Sequence, residues 1–191
     1  MSATINLEKK HFPVLLDEII KIISPQYGGT FLDCTFGQGG YTEKILENPN
    51  NSVIAFDRDA NAIKLSEKFK KHFKNRFEFN HKRFSEIKSI NSTNIKAVIF
   101  DLGYSTDQIF DEKKGLSFNS RGTLNMKMGL NRFSAHDTIN KLDKEDLIKI
   151  FKYFGEEKDA KKISQAIFRK RNNNILKTED LVEIINKEKK N

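Results

Sequence analysis

Three acidic residues each follow an apolar run, and they define the chemistry this chain can attempt. The first opens a glycine-rich stretch, Asp33-Cys34-Thr35-Phe36-Gly37-Gln38-Gly39-Gly40-Tyr41-Thr42. The second, Asp57, lies 20 residues after Gly37 and closes the run Ser52 to Phe56. The third, Asp101, closes Ala97 to Phe100 and is followed by Leu102-Gly103-Tyr104. Glycines let a backbone approach a ligand closely and aim N–H groups at it. A carboxylate at the end of the second strand suits ribose, because it accepts two hydrogen bonds from a cis-diol. The turn is not the dinucleotide fingerprint, which needs glycine at position 42, where Thr42 stands. Nor is it a P-loop, since no Gly-Lys-Ser/Thr follows. A carboxylate-bearing turn fits a nucleoside with a cationic amino-acid tail, such as S-adenosylmethionine, better than a pyrophosphate; Asp33 would complement the positive charge. Taken singly, the glycines could form an ordinary tight turn, and Asp57 or Asp59 could cap the next helix.

The elements that must position these residues follow from periodicity. Pro13 to Ile23 carries apolar residues at 15/16, 19/20 and 22/23, a helical pattern with Pro13 in its first turn. Thr30 to Cys34 reads as a buried strand, with a short helix from Tyr41 to Glu47. Ser52 to Phe56 is a second strand, and Asp59 to Phe73 a helix with Ala62, Leu65, Phe69 and Phe73 on one face. Phe77 to His81 and Ala97 to Phe100 are predicted as the third and fourth strands. Strands alternating with helices imply a parallel sheet. Four strands are few for a doubly wound sheet, which leaves either a small sheet or an incomplete one. Near residue 107 the pattern changes. Phe110 to Asn131 is polar and glycine-punctuated. Three helices are then predicted: one capped by Asp143 with a Leu147, Ile150, Phe151, Phe154 stripe, one from Glu157 to Arg171, and one starting at Thr178 that buries Leu181, Ile184 and Ile185. Domains are thus expected at 1–106 (α/β) and 107–191 (all-helical).

Composition narrows the class. The chain has 191 residues, enough for one such domain and an added piece. Lys and Arg number 34 against 26 Asp and Glu, a net charge of +8 that favours a polyanionic partner. One cysteine, Cys34, excludes a disulfide framework and a cysteine-built zinc site, and no metal is expected. No apolar run reaches the roughly 20 residues of a membrane helix and no signal-peptide pattern is visible, so the expected setting is cytoplasmic, without membrane.

The motifs together resemble a known family. His11-Phe12-Pro13-Val14-Leu15-Leu16, the D-x-T-x-G-x-G-G-Y-T turn and Asp57-Arg58-Asp59 begin the resemblance. Asp101-Leu102-Gly103-Tyr104-Ser105-Thr106-Asp107-Gln108 and Gly115-Leu116-Ser117-Phe118 continue it. Leu124-Asn125-Met126-Lys127-Met128 and Tyr153-Phe154-Gly155-Glu156-Glu157 complete it. The chain is similar to the bacterial 16S ribosomal RNA cytosine-N4 methyltransferases, the RsmH or MraW family. That resemblance implies a class I, Rossmann-like α/β methyltransferase domain, with an incomplete sheet here, interrupted after its fourth strand by an all-helical insertion. It implies S-adenosylmethionine as cofactor, contacts at Gly39, Gly40, Tyr41, Asp57, Phe84, Asp101 and Gln108, and 16S ribosomal RNA of the small subunit as partner. Phe84 would sandwich the adenine, its alternative being an ordinary core residue. Departures are Tyr41 in place of histidine, Thr106 for serine, and Thr123 and Asn125 within the segment usually reading G-P-L-D-M-R-M.

Asp101 and Tyr104 are the expected catalytic pair. Asp101-Leu102-Gly103-Tyr104 resembles the Asp-Pro-Pro-Tyr motif of amino-group DNA methyltransferases, whose acid contacts the amine and whose aromatic stacks on the extruded base. The alternatives are a turn cap for Asp101 and a packed aromatic for Tyr104. Lys152, Lys158, Lys161, Lys162, Arg169, Lys170 and Arg171 cluster around the second insertion helix, either as a solvated face or as an RNA backbone contact. His11 and His136 are read as structural. Two other functional readings stay open: a fragment that binds cofactor or RNA without turnover, and an NAD-dependent reductase.

Overall fold

The computed structural model describes residues 13–92, 94–171 and 177–189. They divide into two compact units. The first runs to Gly103 and takes in Met128–Leu130; the second comprises Tyr104–Lys127 and the described residues from Asn131 onward.

The first unit is a four-stranded, wholly parallel sheet in the order β3-β2-β1-β4. The strands are β1 (Gly29–Asp33), β2 (Asn51–Phe56), β3 (Phe77–Asn80) and β4 (Ile95–Ile99). The apolar runs form strands because both sheet faces around β1 and β2 are enclosed. The helices are α1 (Leu16–Ile23), α2 (Gly40–Leu46) and α3 (Asn61–Phe73). Phenylalanines fill the core: Phe36 meets Phe69 edge-on with ring centres 5.2 Å apart and also contacts Phe77 and Phe79.

One detail of this unit corrects the sequence reading. Pro13 lies outside α1, whose preceding residue Leu15 has φ 53 and is exposed. Of the apolar pairs 15/16, 19/20 and 22/23, Leu16, Ile19, Ile20 and Ile23 pack on the core, while Leu15 and Ile22 are exposed. β4 forms an edge of the sheet, and Ile95 and Val98 are exposed there.

The second unit is helical: α4 (Thr106–Phe110), α5 (Ala135–Lys141), α6 (Lys144–Tyr153), α7 (Ala160–Lys170) and α8 (Thr178–Lys189). Its core is Leu124, Ile139, Leu147, Ile163, Ile167 and Ile184, with Phe151, Leu181 and Ile185 packed against it. Asp143 caps α6 by accepting from the Asp146 N–H at 2.8 Å. The stripe predicted on α6 fails at its last member. The helix stops at Tyr153, and Phe154 is exposed in the following turn. α5 was not anticipated. Its start is a reciprocal cap in which Ser134 accepts from the Asp137 N–H, while Asp137 accepts from the Ser134 N–H. The 110–131 segment is not simply a polar loop, since Leu124 is fully enclosed within it. No described helix is long and apolar enough to cross a membrane.

Candidate functional site

β1 is flanked by β2 on one side and β4 on the other, so chain direction across the sheet reverses beside it. Ligands in open α/β sheets bind at such a reversal, beyond the carboxyl ends of the strands. Asp33 is the last residue of β1, Asp57 follows β2, and Asp101 stands two residues beyond β4.

The glycine turn between β1 and α2 is tied down by all three strand ends. The Cys34 N–H donates to the Ile99 carbonyl at 2.9 Å, and the Phe36 N–H to the Phe56 carbonyl at 2.9 Å. The Gly37 N–H donates to Asp57 Oδ2 at 2.7 Å, and Asp57 Oδ1 accepts from the Asp59 N–H at 2.8 Å. The Gly39 N–H turns inward to the Phe36 carbonyl. The N–H groups of Gly37 and Gly39 are therefore not aimed at a ligand, as the sequence reading expected. The turn offers carboxylate oxygens instead, which disfavours a phosphate and with it the nicotinamide dinucleotide. Asp59 takes the helix-start role, accepting from the Asn61 N–H at 3.0 Å.

Gly39 and Gly40 act through missing side chains. Gly39 has φ +77, and a Cβ there would lie 2.6 Å from the Phe69 ring. At Gly40 a Cβ would meet Pro13 at 2.2 Å. Tyr41 points inward and donates its hydroxyl to the Val14 carbonyl, leaving only its backbone for a ligand. Burial first, then Asp101 and Asp33, push its hydroxyl above the ordinary tyrosine value.

Asp33 is wholly enclosed. It accepts from the Thr42 hydroxyl at 2.7 Å and the Thr35 N–H at 3.2 Å. Burial, reinforced by Asp57 and Asp101, pushes its carboxyl up to about 6 against those two hydrogen bonds. Its influence on a cationic ligand is therefore electrostatic rather than by contact. Thr35 also accepts the Asp101 N–H at 2.7 Å, linking the end of β4 to the turn. Sequence reading missed Thr35 and Thr42; the D-x-T spacing was the available signal for the first. Cys34 is no nucleophile, since burial and then Asp33 push its thiol up to about 11.

Phe84 begins a short 3-10 turn (Phe84–Ser89) after β3 and is not a core residue, being 39% exposed. Phe100 packs edge-on against it, ring centres 5.4 Å apart, and is half-exposed itself. The Asp57-Arg58-Asp59 corner has a second neighbour that sequence did not reveal. Gly129, at φ +53, lies so close that a Cβ would fall 1.8 Å from the Arg58 carbonyl oxygen. Arg83 donates to the Leu130 carbonyl at 2.9 Å and holds the same segment.

The remaining expected residues belong to the second unit. Tyr104 is exposed, not a packed aromatic. Gln108 and Ser105 bond reciprocally, the Ser105 N–H to Gln108 Oε1 at 3.1 Å and the Gln108 N–H to Ser105 Oγ at 3.2 Å. Of the basic cluster, Lys152, Lys158, Lys161, Lys162, Arg169 and Lys170 are exposed. Arg171 is partly buried and turned toward the protein. Its guanidinium donates to the carbonyls of Ile139 and Leu142 and covers the Phe168 ring. His136 is partly buried, its backbone N–H bonded to the Leu124 carbonyl. His11 lies outside the described residues.

The residues match those of known proteins. The model of the MraW methylase family matches residues 8–191. A protein of Campylobacter jejuni subsp. jejuni serotype O:2, named ribosomal RNA small subunit methyltransferase H, is 40% identical over 190 residues, covering 97% of this chain and 61% of its own length. Proteins of the same name from Ehrlichia ruminantium (strain Welgevonden) and Rickettsia bellii (strain OSU 85-389) are 38% and 36% identical over 174 and 162 residues. They are covered over 58% and 53% of their lengths, and this chain over 88% and 84%. The chain thus spans between half and three fifths of the curated relatives it matches.

Proposed function

Because the chain belongs to the MraW methylase family, we propose that it serves an S-adenosylmethionine-dependent methyltransferase that methylates the N4 amine of a cytosine in 16S ribosomal RNA. The observation that carries the reading is the set of carboxylates around the glycine turn. Asp57 is braced by the Gly37 and Asp59 N–H groups, one on each oxygen, and each oxygen keeps a second lone pair for a ribose hydroxyl. Enclosed Asp33 and partly exposed Asp101 supply the negative potential that a sulfonium and an ammonium require. Phe84 presents a half-bare ring of the size an adenine stacks on. The acceptors at Asp57 and Asp101 and the ring of Phe84 therefore fit the cofactor; Gly39, Gly40, Tyr41 and Gln108 are added as contacts by the family resemblance alone.

S-adenosylmethionine brings a methyl group already activated by its sulfonium. The protein's task is to orient the amine and bias it toward sp3 character, since its lone pair is delocalised into the ring. Asp101 does this by accepting a hydrogen bond from N4–H, with its own N–H fixed on Thr35. Tyr104 stacks on the target base. In this reading the first unit, which runs to Gly103 and takes in Met128–Leu130, binds the cofactor, and the second is the helical insertion that meets RNA.

The test is isothermal titration of S-adenosylmethionine and of NADH into the chain and two variants. Asp57→Ala is expected to weaken S-adenosylmethionine binding by about tenfold or more, the loss of hydrogen bonds to a charged group. Asp59→Ala, which removes a helix-start contact, should change it little. Equal losses, or binding of NADH alone, would overturn the reading.

A further inference from the structure

The turn between α6 and α7 holds two bare aromatic rings outward. Tyr153 is 70% exposed and Phe154 87%. The turn is built rather than loose. The Glu157 N–H donates to the Phe151 carbonyl at 3.0 Å, and the Asp159 N–H to Glu157 Oε1 at 3.0 Å. Lys189 of α8 reaches Glu157 Oε2 at 2.8 Å, anchoring the turn from a second helix. Those contacts hold the Glu157 carboxyl below its ordinary value, Lys189 first among the causes. A fixed turn presents its rings at little further entropic cost on binding.

The charge around the rings is positive. Lys152 stands 5.7 Å from the centre of the Tyr153 ring. Lys158 and Lys161 are exposed, and neither makes an ion pair among the described residues. Two of the three nearby acids are matched by lysines, Glu157 by Lys189 and Asp159 by Lys162 at 3.7 Å. Flat faces interleaved with cations suit a ligand that alternates planar rings with negative charge, which is a single-stranded nucleic acid. Lysine is depleted from the cores of protein–protein interfaces, so the exposed Lys152, Lys158 and Lys161 around these rings favour a nucleic acid over a protein partner.

We propose that residues 152–161 are a stacking platform for unpaired bases of RNA, with Lys158 and Lys161 on the adjoining phosphates. This rests on the reading of the chain as part of an RNA methyltransferase. The test measures fluorescence anisotropy of a labelled oligocytidylate 12-mer, and of an RNA duplex of equal length, with the full chain. Phe154→Leu keeps the apolar surface and removes the ring; it is expected to weaken single-strand binding about tenfold and leave duplex binding unchanged. Phe154→Trp should retain binding, with tryptophan emission quenched by RNA. Lys158→Gln should lower the slope of log affinity against log salt by about 0.7, the value for one single-strand phosphate contact. Unaltered single-strand binding by Phe154→Leu, or equal loss for duplex, would overturn the proposal. Titration of S-adenosylmethionine into the unmodified chain separates the two readings: no binding there refutes the enzyme assignment, whereas stacking is refuted only by the RNA arms.

Discussion

Replacing Asp33 by asparagine should make the protein more stable at neutral pH and worse at holding its cofactor. The carboxyl is enclosed on all sides, and burial pushes it up to about 6 from 3.8. A group with a higher value in the folded state keeps its proton longer when folded. Its contribution is therefore fully favourable below about pH 4, declines as pH rises to about 6, and stays at its least favourable above that. The difference of about 2 units corresponds to roughly 3 kcal/mol. Asparagine resembles the protonated acid: its carbonyl oxygen can accept the Thr35 N–H and its amide can donate to the Thr42 hydroxyl. Asp33→Asn should thus remove the decline between pH 4 and 6 and leave the variant up to about 3 kcal/mol more stable at pH 7. Asp137 and Glu157, both held below their ordinary values by lysine partners, act the other way, losing stability as pH falls below about 4. Urea denaturation followed by circular dichroism, from pH 4 to 7.5, measures the curve. Titration of S-adenosylmethionine at pH 7 should show weaker binding, since a negative charge near the cation has gone. A variant less stable than the parent at pH 7, with the decline intact, would refute the account of Asp33 as a strained buried charge.

Three further outcomes follow from other contacts. Thr35→Val removes the acceptor for the Asp101 N–H while keeping the side chain's shape, and should cost about 1–3 kcal/mol in denaturation, whereas Thr35→Ser restores most of it. Gly129→Ala should destabilise the first unit by about 1–3 kcal/mol, because its Cβ would fall on the Arg58 carbonyl at a positive φ; thermal unfolding reads this directly. Ser164→Ala should be neutral or stabilising by up to about 1 kcal/mol in the same assay, since the Ser164 hydroxyl is buried with no hydrogen-bond partner among the described residues.

Three of the four strands were legible as short apolar runs followed by an acid, and β3 by its alternating Phe77 and Phe79; the observed bounds differ from the reading by a residue or two. Asp57 and the glycine turn were legible as neighbours from a spacing of 20. What escaped were partners distant in sequence: Thr35 with Asp101, 66 positions apart, and Arg83 with Leu130, 47 apart. No local pattern encodes such a pairing. α5 escaped for another reason. It is seven residues long with only Ile139 fully buried, too little for periodicity, and its one signal was the Ser134–Asp137 cap. Phe154 was misplaced because a periodic stripe does not say where the helix under it stops.

The hydrogen bonds of the glycine turn have a consequence for how the molecule is made. The loop takes its shape from residues 57, 56, 99 and 101, so a chain emerging from a ribosome cannot complete it until the fourth strand has been synthesised and has zipped onto the first. On the proposed function, nucleoside uptake would then signal that β4 has joined β1, and a labelled ligand added during refolding would record that pairing rather than the earlier steps.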